Sequence, residues 1–143
     1  MNWLKNPDSS DKIIEMQNFF FIRLDGKYVK INFSDIVYVE GCKNYIKIIT
    51  DLRSYLVLIT MKRMEEILPA SLFQRIHKSF IVSLEKVLEF NRYSVYLKNK
   101  ELPIGHLYKG VIERAVIIAN DNFCKVFRVA ISESSENELS NAV

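Results

Sequence analysis

The chain has 143 residues, enough for one domain with a genuine core, and its 49% hydrophobic and 26% charged content is that of a globular protein. The longest apolar runs, such as Ile117–Ile118–Ala119, fall far short of a membrane span, and no charged segment precedes an apolar stretch near Met1, so the sequence reads as neither membrane-spanning nor secretory. The net charge of +3 is uneven: residues 1–36 hold five basic and five acidic residues, 37–110 hold twelve and seven, and 111–143 hold three and five, so the positive excess sits mid-chain, where a polyanion-binding face would need it.

In chain order, residues 1–17 carry Pro7, Asp8, Ser9, Ser10 and Asp11 and read as a flexible lead-in, with a helical turn around Ile13–Met16. Phe20, Ile22 and Leu24 then share one strand face, Asp25–Gly26 supplies a hairpin turn, and Val29, Ile31 and Phe33 lie on the return strand. Ile36–Val39 suits a buried strand that Gly41–Asn44 breaks. Ile46 and Ile48 alternate with Tyr45 and Lys47, Asp51–Leu52 turns, and Tyr55–Ile59 is a further strand. Thr60 caps a short helix whose Met61, Met64, Ile67 and Leu68 share a face, closed by Pro69.

Phe73–Lys78 reads as a short strand or extended segment and Phe80–Leu84 as a single helical turn. Three strands follow at Val87–Phe90, Val95–Leu97 and Glu101–Ile104. A closing helix spans about 106–119, with Tyr108, Val111, Ile112, Ala115, Ile118 and Ala119 at helical spacing. Residues 18–120 thus form the domain. Residues 121–143 form an extension with an apolar stretch at Phe123–Ile131 and a disordered Ser/Glu/Asn end. The expected fold is mainly β, with one short and one longer helix and without the βαβ alternation of nucleotide-binding sheets.

Enzyme chemistry finds little footing. Glycine occurs only at 26, 41, 105 and 110, so there is no glycine-rich phosphate cradle, and no G-x-S-x-G or H-E-x-x-H motif is present. His77 and His106 are 29 residues apart and Cys42 and Cys124 are 82 apart, which matches no zinc motif. The two cysteines read as unpaired thiols in a reduced, cytoplasmic setting. No catalytic residue, metal site or cofactor is expected.

Three polar clusters stand at strand ends: Lys43–Asn44–Tyr45 after Gly41, Arg75–Ile76–His77–Lys78–Ser79, and Gly105–His106–Leu107–Tyr108–Lys109. Each joins a donor for bases or phosphates to a turn or helix start. Asn can bond adenine in two places, and Lys, Ser, Tyr and backbone amides are phosphate ligands. The plain alternative is that each cluster is a solvated loop.

Several segments together resemble a known family. They are Asp35–Gly41, Asn44–Ile48, Met61–Leu68, the F-x-R-x-H-x-S-x-x-V run from Phe73 to Val82, and Leu102–Gly105. This pattern resembles the LytTR DNA-binding domain, the output module of LytR/AlgR-type bacterial response regulators, over about residues 18–119. The resemblance implies an elongated arrangement of small antiparallel sheets with two or three helices. It also implies sequence-specific binding of double-stranded DNA in transcription regulation, on direct repeats, through loops in successive major grooves.

Carried over by position, Asn44 and Tyr45 match a first contact loop, Lys78 a second, and His106–Leu107 a third. Lys43, Lys47, Arg75, Lys78 and Lys109 would attract phosphates beside Ser79, with Asn44, Lys78 and His106 as base readers, while His77 is more often structural. Ser83 stands where the family usually has Asn, and His106–Leu107 where Arg is common. Members usually carry a receiver domain of on the order of a hundred residues ahead of the module, so the chain reads as a stand-alone regulator or a fragment. One alternative stays open, a module of the same fold that has lost DNA reading and modulates a partner regulator. The apolar Phe123, Val126, Phe127 and Val129 either pack on the domain or pair two copies, and a homodimer on DNA also stays open as a partner state. A histidine-kinase system is the upstream partner implied.

Overall fold

The structure, a computed structural model, describes residues 17–119. The expected helical turn at Ile13–Met16, the Phe123–Ile131 stretch, Cys124 and the tail lie outside the described residues. The chain divides between Ile112 and Glu113 into two units; the three sheets below belong to the first.

The first sheet is the hairpin β1 (Phe19–Leu24) and β2 (Lys27–Asn32), paired antiparallel with Leu24 opposite Lys27. Asp25 and Gly26 have φ of 51° and 76°, the two left-handed residues of a type I′ turn, as the Asp-Gly pair predicts. Phe33–Asp35 forms a 3₁₀ turn.

The main sheet has five antiparallel strands in the order β5-β4-β3-β7-β6. These are β3 (Ile36–Cys42), β4 (Tyr45–Thr50), β5 (Ser54–Val57), β6 (Phe73–His77) and β7 (Phe80–Ser83). Helix α1 (Met61–Ile67) connects β5 to β6, and the Thr60 side chain accepts from the Arg63 amide at 3.1 Å as the expected N-cap. Ile22, Ile31, Ile36, Val39, Ile46, Ile48, Met64, Leu68, Phe73 and Ile81 bury one another between the hairpin, one face of this sheet and α1. β8 (Glu89–Phe90), β9 (Ser94–Leu97) and β10 (Lys100–Pro103) make the third sheet. Its Val95, Leu97 and Leu102 are buried, together with Ile76, Val82, Ile104 and Ile112.

Three expectations need correction. β3 does not break at Gly41; it runs to Cys42, which pairs with Tyr45, so the turn is only Lys43–Asn44. Phe80–Ser83 is a strand rather than a helical turn, because β7 lies between β3 and β6 and its Ile81 and Val82 are buried, which favours β-branched residues in extended backbone. The 3₁₀ turn falls on Leu84–Lys86 instead. The long closing helix is interrupted: a 3₁₀ turn at His106–Tyr108 is followed by an extended Lys109 and by Gly110 at φ 85°, before α2 (Val111–Ala115). Glycine leaves helical geometry cheaply there, and the β-branched Val116, Ile117 and Ile118 do not carry the helix on.

Candidate nucleic-acid interface

Strand direction brings two of the clusters to one end of the main sheet. β3 climbs to the Lys43–Asn44 turn, and β6 climbs to the Lys78–Ser79 turn before β7 descends antiparallel beside β3. Glu40 pairs with Phe80, and the Gly41 amide donates to the Ser79 carbonyl at 2.8 Å, so the two turns are neighbours. The third cluster joins on the far side of β6, where the Gly105 amide donates to the Ile76 carbonyl at 2.8 Å. A Cβ on Gly105 would lie 3.4 Å from His77 Cδ2 and 3.5 Å from its Cα, so the His106–Tyr108 turn sits directly against the top of β6. All three clusters therefore stand in a row.

The turns are fixed from below. Lys43 has φ 58°, unusual for a residue with a Cβ, and its neighbours Asn44 and Tyr45 are exposed. The His77 Nδ1 accepts the Ser79 amide at 3.0 Å, and the ring leans on Phe80 with centroids 5.4 Å apart. His77 is thus a holder of its turn. Arg75 points inward as well: Nε donates to the His77 carbonyl at 3.2 Å, Nη2 to the Lys78 carbonyl at 2.6 Å, and Nη1 to Glu65 of α1 at 3.0 Å.

The expected residues fall into two groups. Lys43, Asn44, Tyr45, Lys47, Lys78, His106 and Leu107 are exposed, Leu107 by 89%. Arg75, His77, Ser79 and Lys109 are half-buried. Lys47 stands below the turn, opposite Glu40 on β3 and Leu56 on β5. Lys109 folds back, with Nζ 3.2 Å from the Ile104 carbonyl and 4.6 Å above the Tyr93 ring. Ser83 is buried at the other end of β7, so that departure from the family pattern falls in the core.

Sequence reasoning passed over Lys62. Met61 packs at the Gly41 backbone, where a Cβ would lie 3.2 Å from Met61 Cγ, so the exposed Lys62, second residue of α1, stands at this same end of the sheet. Its signal is a cation two residues past the capping threonine. Lys43, Lys62 and Lys78 take part in none of the ion pairs among the described residues, whereas Arg63 pairs with Glu66, and Lys86 pairs with Asp51. Beneath the row, burial and then the charge of Glu40 push the Tyr38 phenol above its ordinary value. No group of three or more His, Cys, Asp or Glu side chains converges among the described residues, and no helix there is long and apolar enough to cross a membrane.

Comparison with known families matches the LytTr DNA-binding domain over residues 26–116. The chain belongs to the LytTR family. Among solved structures, the LytTr DNA-binding domain of a protein described as a methyl-accepting/DNA response regulator from Bacillus cereus is similar at a TM-score of 0.60 and 16% identity, over 69% of this chain and 96% of that one. No curated protein matches. The LytTR assignment makes DNA binding in transcription regulation the function of the domain, and the row of clusters lies wholly within the matched residues.

Proposed function

We propose that this LytTR domain reads DNA with the single row formed by the 43–45, 78–79 and 106–107 turns, which enter successive major grooves on one face of the duplex. In this reading Asn44 bonds an adenine edge, and Lys78 and His106 donate to guanine or other acceptor edges. Leu107 meets a thymine methyl, the apolar feature of the major groove. Lys43, Lys47, Lys62, Tyr45 and the Ser79 turn neutralise or bond phosphates, which fixes register. Each copy of the domain would occupy one half of a direct repeat, with centres about one helical turn apart.

The observation that carries this reading is the pair of backbone hydrogen bonds, Gly41 to Ser79 and Gly105 to Ile76, which align two hairpin turns and the 3₁₀ turn that follows β10. The test is affinity selection of random duplex DNA with the whole chain, followed by a salt titration. A recovered direct repeat, bound more weakly as salt rises, is expected. Failure to enrich any sequence, or binding indifferent to salt, would reject base reading and leave a module of the same fold acting on a partner regulator.

A further inference from the structure

We infer that Arg75 is a positioning residue for Lys78, held in place by Glu65, and that it does not contact DNA; this rests on the reading of Lys78 as a base-contacting residue. Three separate nitrogens of the guanidinium are engaged by groups of the protein itself: the His77 carbonyl, the Lys78 carbonyl and the Glu65 carboxylate. The side chain is 17% exposed, against 49% for Glu65. A planar fork can bond two successive carbonyls and a carboxylate at once, which an ammonium on a flexible stem cannot.

The location gives this clamp its consequence. The Lys78–Ser79 turn contains no glycine, and the β6–β7 register shifts between Arg75 and His77. The two carbonyls that Arg75 holds belong to the peptide units on either side of Lys78, so they set the direction in which the lysine leaves the backbone. Glu65 ties this arrangement to α1, whose Met61 also packs at Gly41 under the neighbouring turn. One charged pair thereby registers Lys78 against the Lys43–Asn44 turn.

Charge alone separates this role from a phosphate contact. The test uses the full chain, the duplex recovered by selection, an unrelated duplex, and anisotropy over a salt series. Arg75→Lys keeps the charge and is expected to lose roughly tenfold on the selected duplex, with the unrelated duplex and the slope against salt unchanged. Glu65→Gln removes a negative charge, which electrostatics alone would turn into tighter binding; weaker binding to the selected duplex is expected instead. In DNA-free protein both substitutions should shift the amide resonances of Lys78 and Ser79.

Wild-type affinity for the selected duplex in Arg75→Lys and Glu65→Gln overturns the proposal. So does equal loss on both duplexes in Arg75→Ala, with a slope shallower by about 0.9, the mark of one lost phosphate contact. If Arg75→Lys fails to fold, the exposed Glu65→Gln change carries the test by itself. An unaltered chain that binds no duplex defeats the DNA-reading edge itself, a result distinct from either of these.

Discussion

The amide of Gly41 donates to the carbonyl of Ser79 across 2.8 Å, so the turn that presents Asn44 and the turn that presents Lys78 are one rigid unit rather than two independent loops. Recognition residues on loops gain precision when a sheet fixes the loop ends. Here the fixing extends further, through His77 and Arg75 beneath one turn and through Gly105 to the third cluster.

Lys78→Ala should weaken binding to the selected duplex by about 1–3 kcal/mol if the lysine reads a base edge. Its exposed position makes the thermal midpoint insensitive to the change. Parallel anisotropy and melting measurements check both halves, and loss of stability without loss of affinity would contradict the assignment.

Lys43 holds a left-handed backbone that costs a residue with a Cβ about 1 kcal/mol relative to glycine. Lys43→Gly should therefore stabilise the domain by up to about that amount while weakening DNA binding and lowering its salt dependence. Denaturant unfolding beside a salt titration would reveal opposite signs for stability and affinity.

His77→Phe keeps a ring to lean on Phe80 but removes the acceptor for the Ser79 amide. An unsatisfied, half-buried amide is expected to cost about 1–3 kcal/mol. Hydrogen exchange at Ser79 should accelerate, along with exchange at its neighbour Gly41. Unchanged protection at both amides would show that the imidazole is dispensable to the turn.

Tyr38 supplies an alkaline signature. Its pKa is raised in the folded state by burial and by Glu40, so the fold favours the neutral phenol. That contribution is complete below the unfolded value of about 10 and is lost as pH rises through the folded value. Tyr38→Phe should flatten the fall in melting temperature in that window, which a series of thermal melts from about pH 8 upward would detect.

Much of this was legible beforehand, for reasons that differ by element. The Asp25–Gly26 hairpin and the Thr60-capped helix announce themselves through local chemistry, φ > 0 at the turn and a side-chain oxygen for an orphan amide. β7 is ambiguous in sequence because Phe80–Ile81–Val82 is a short apolar run without alternation; only its place between β3 and β6 decides its state. The closing helix is shorter than its apolar spacing suggests, because that spacing runs through Lys109–Gly110 and past Ala115, where the backbone leaves helical geometry. At the candidate site, the exposed Asn44 and Lys78 could be picked out by residue type. The inward turn of Arg75 could not, since its partners Glu65 and the Lys78 carbonyl lie on another element and on the backbone.

The most direct measurement is a titration of isotope-labelled protein with the selected duplex, followed amide by amide. The proposed edge requires the perturbed resonances to cluster at 43–45, 78–79 and 106–108. Perturbations centred instead on the opposite end of the main sheet, at Asp51–Arg53 and Leu84–Lys86 where Lys86 is tied to Asp51, would contradict it.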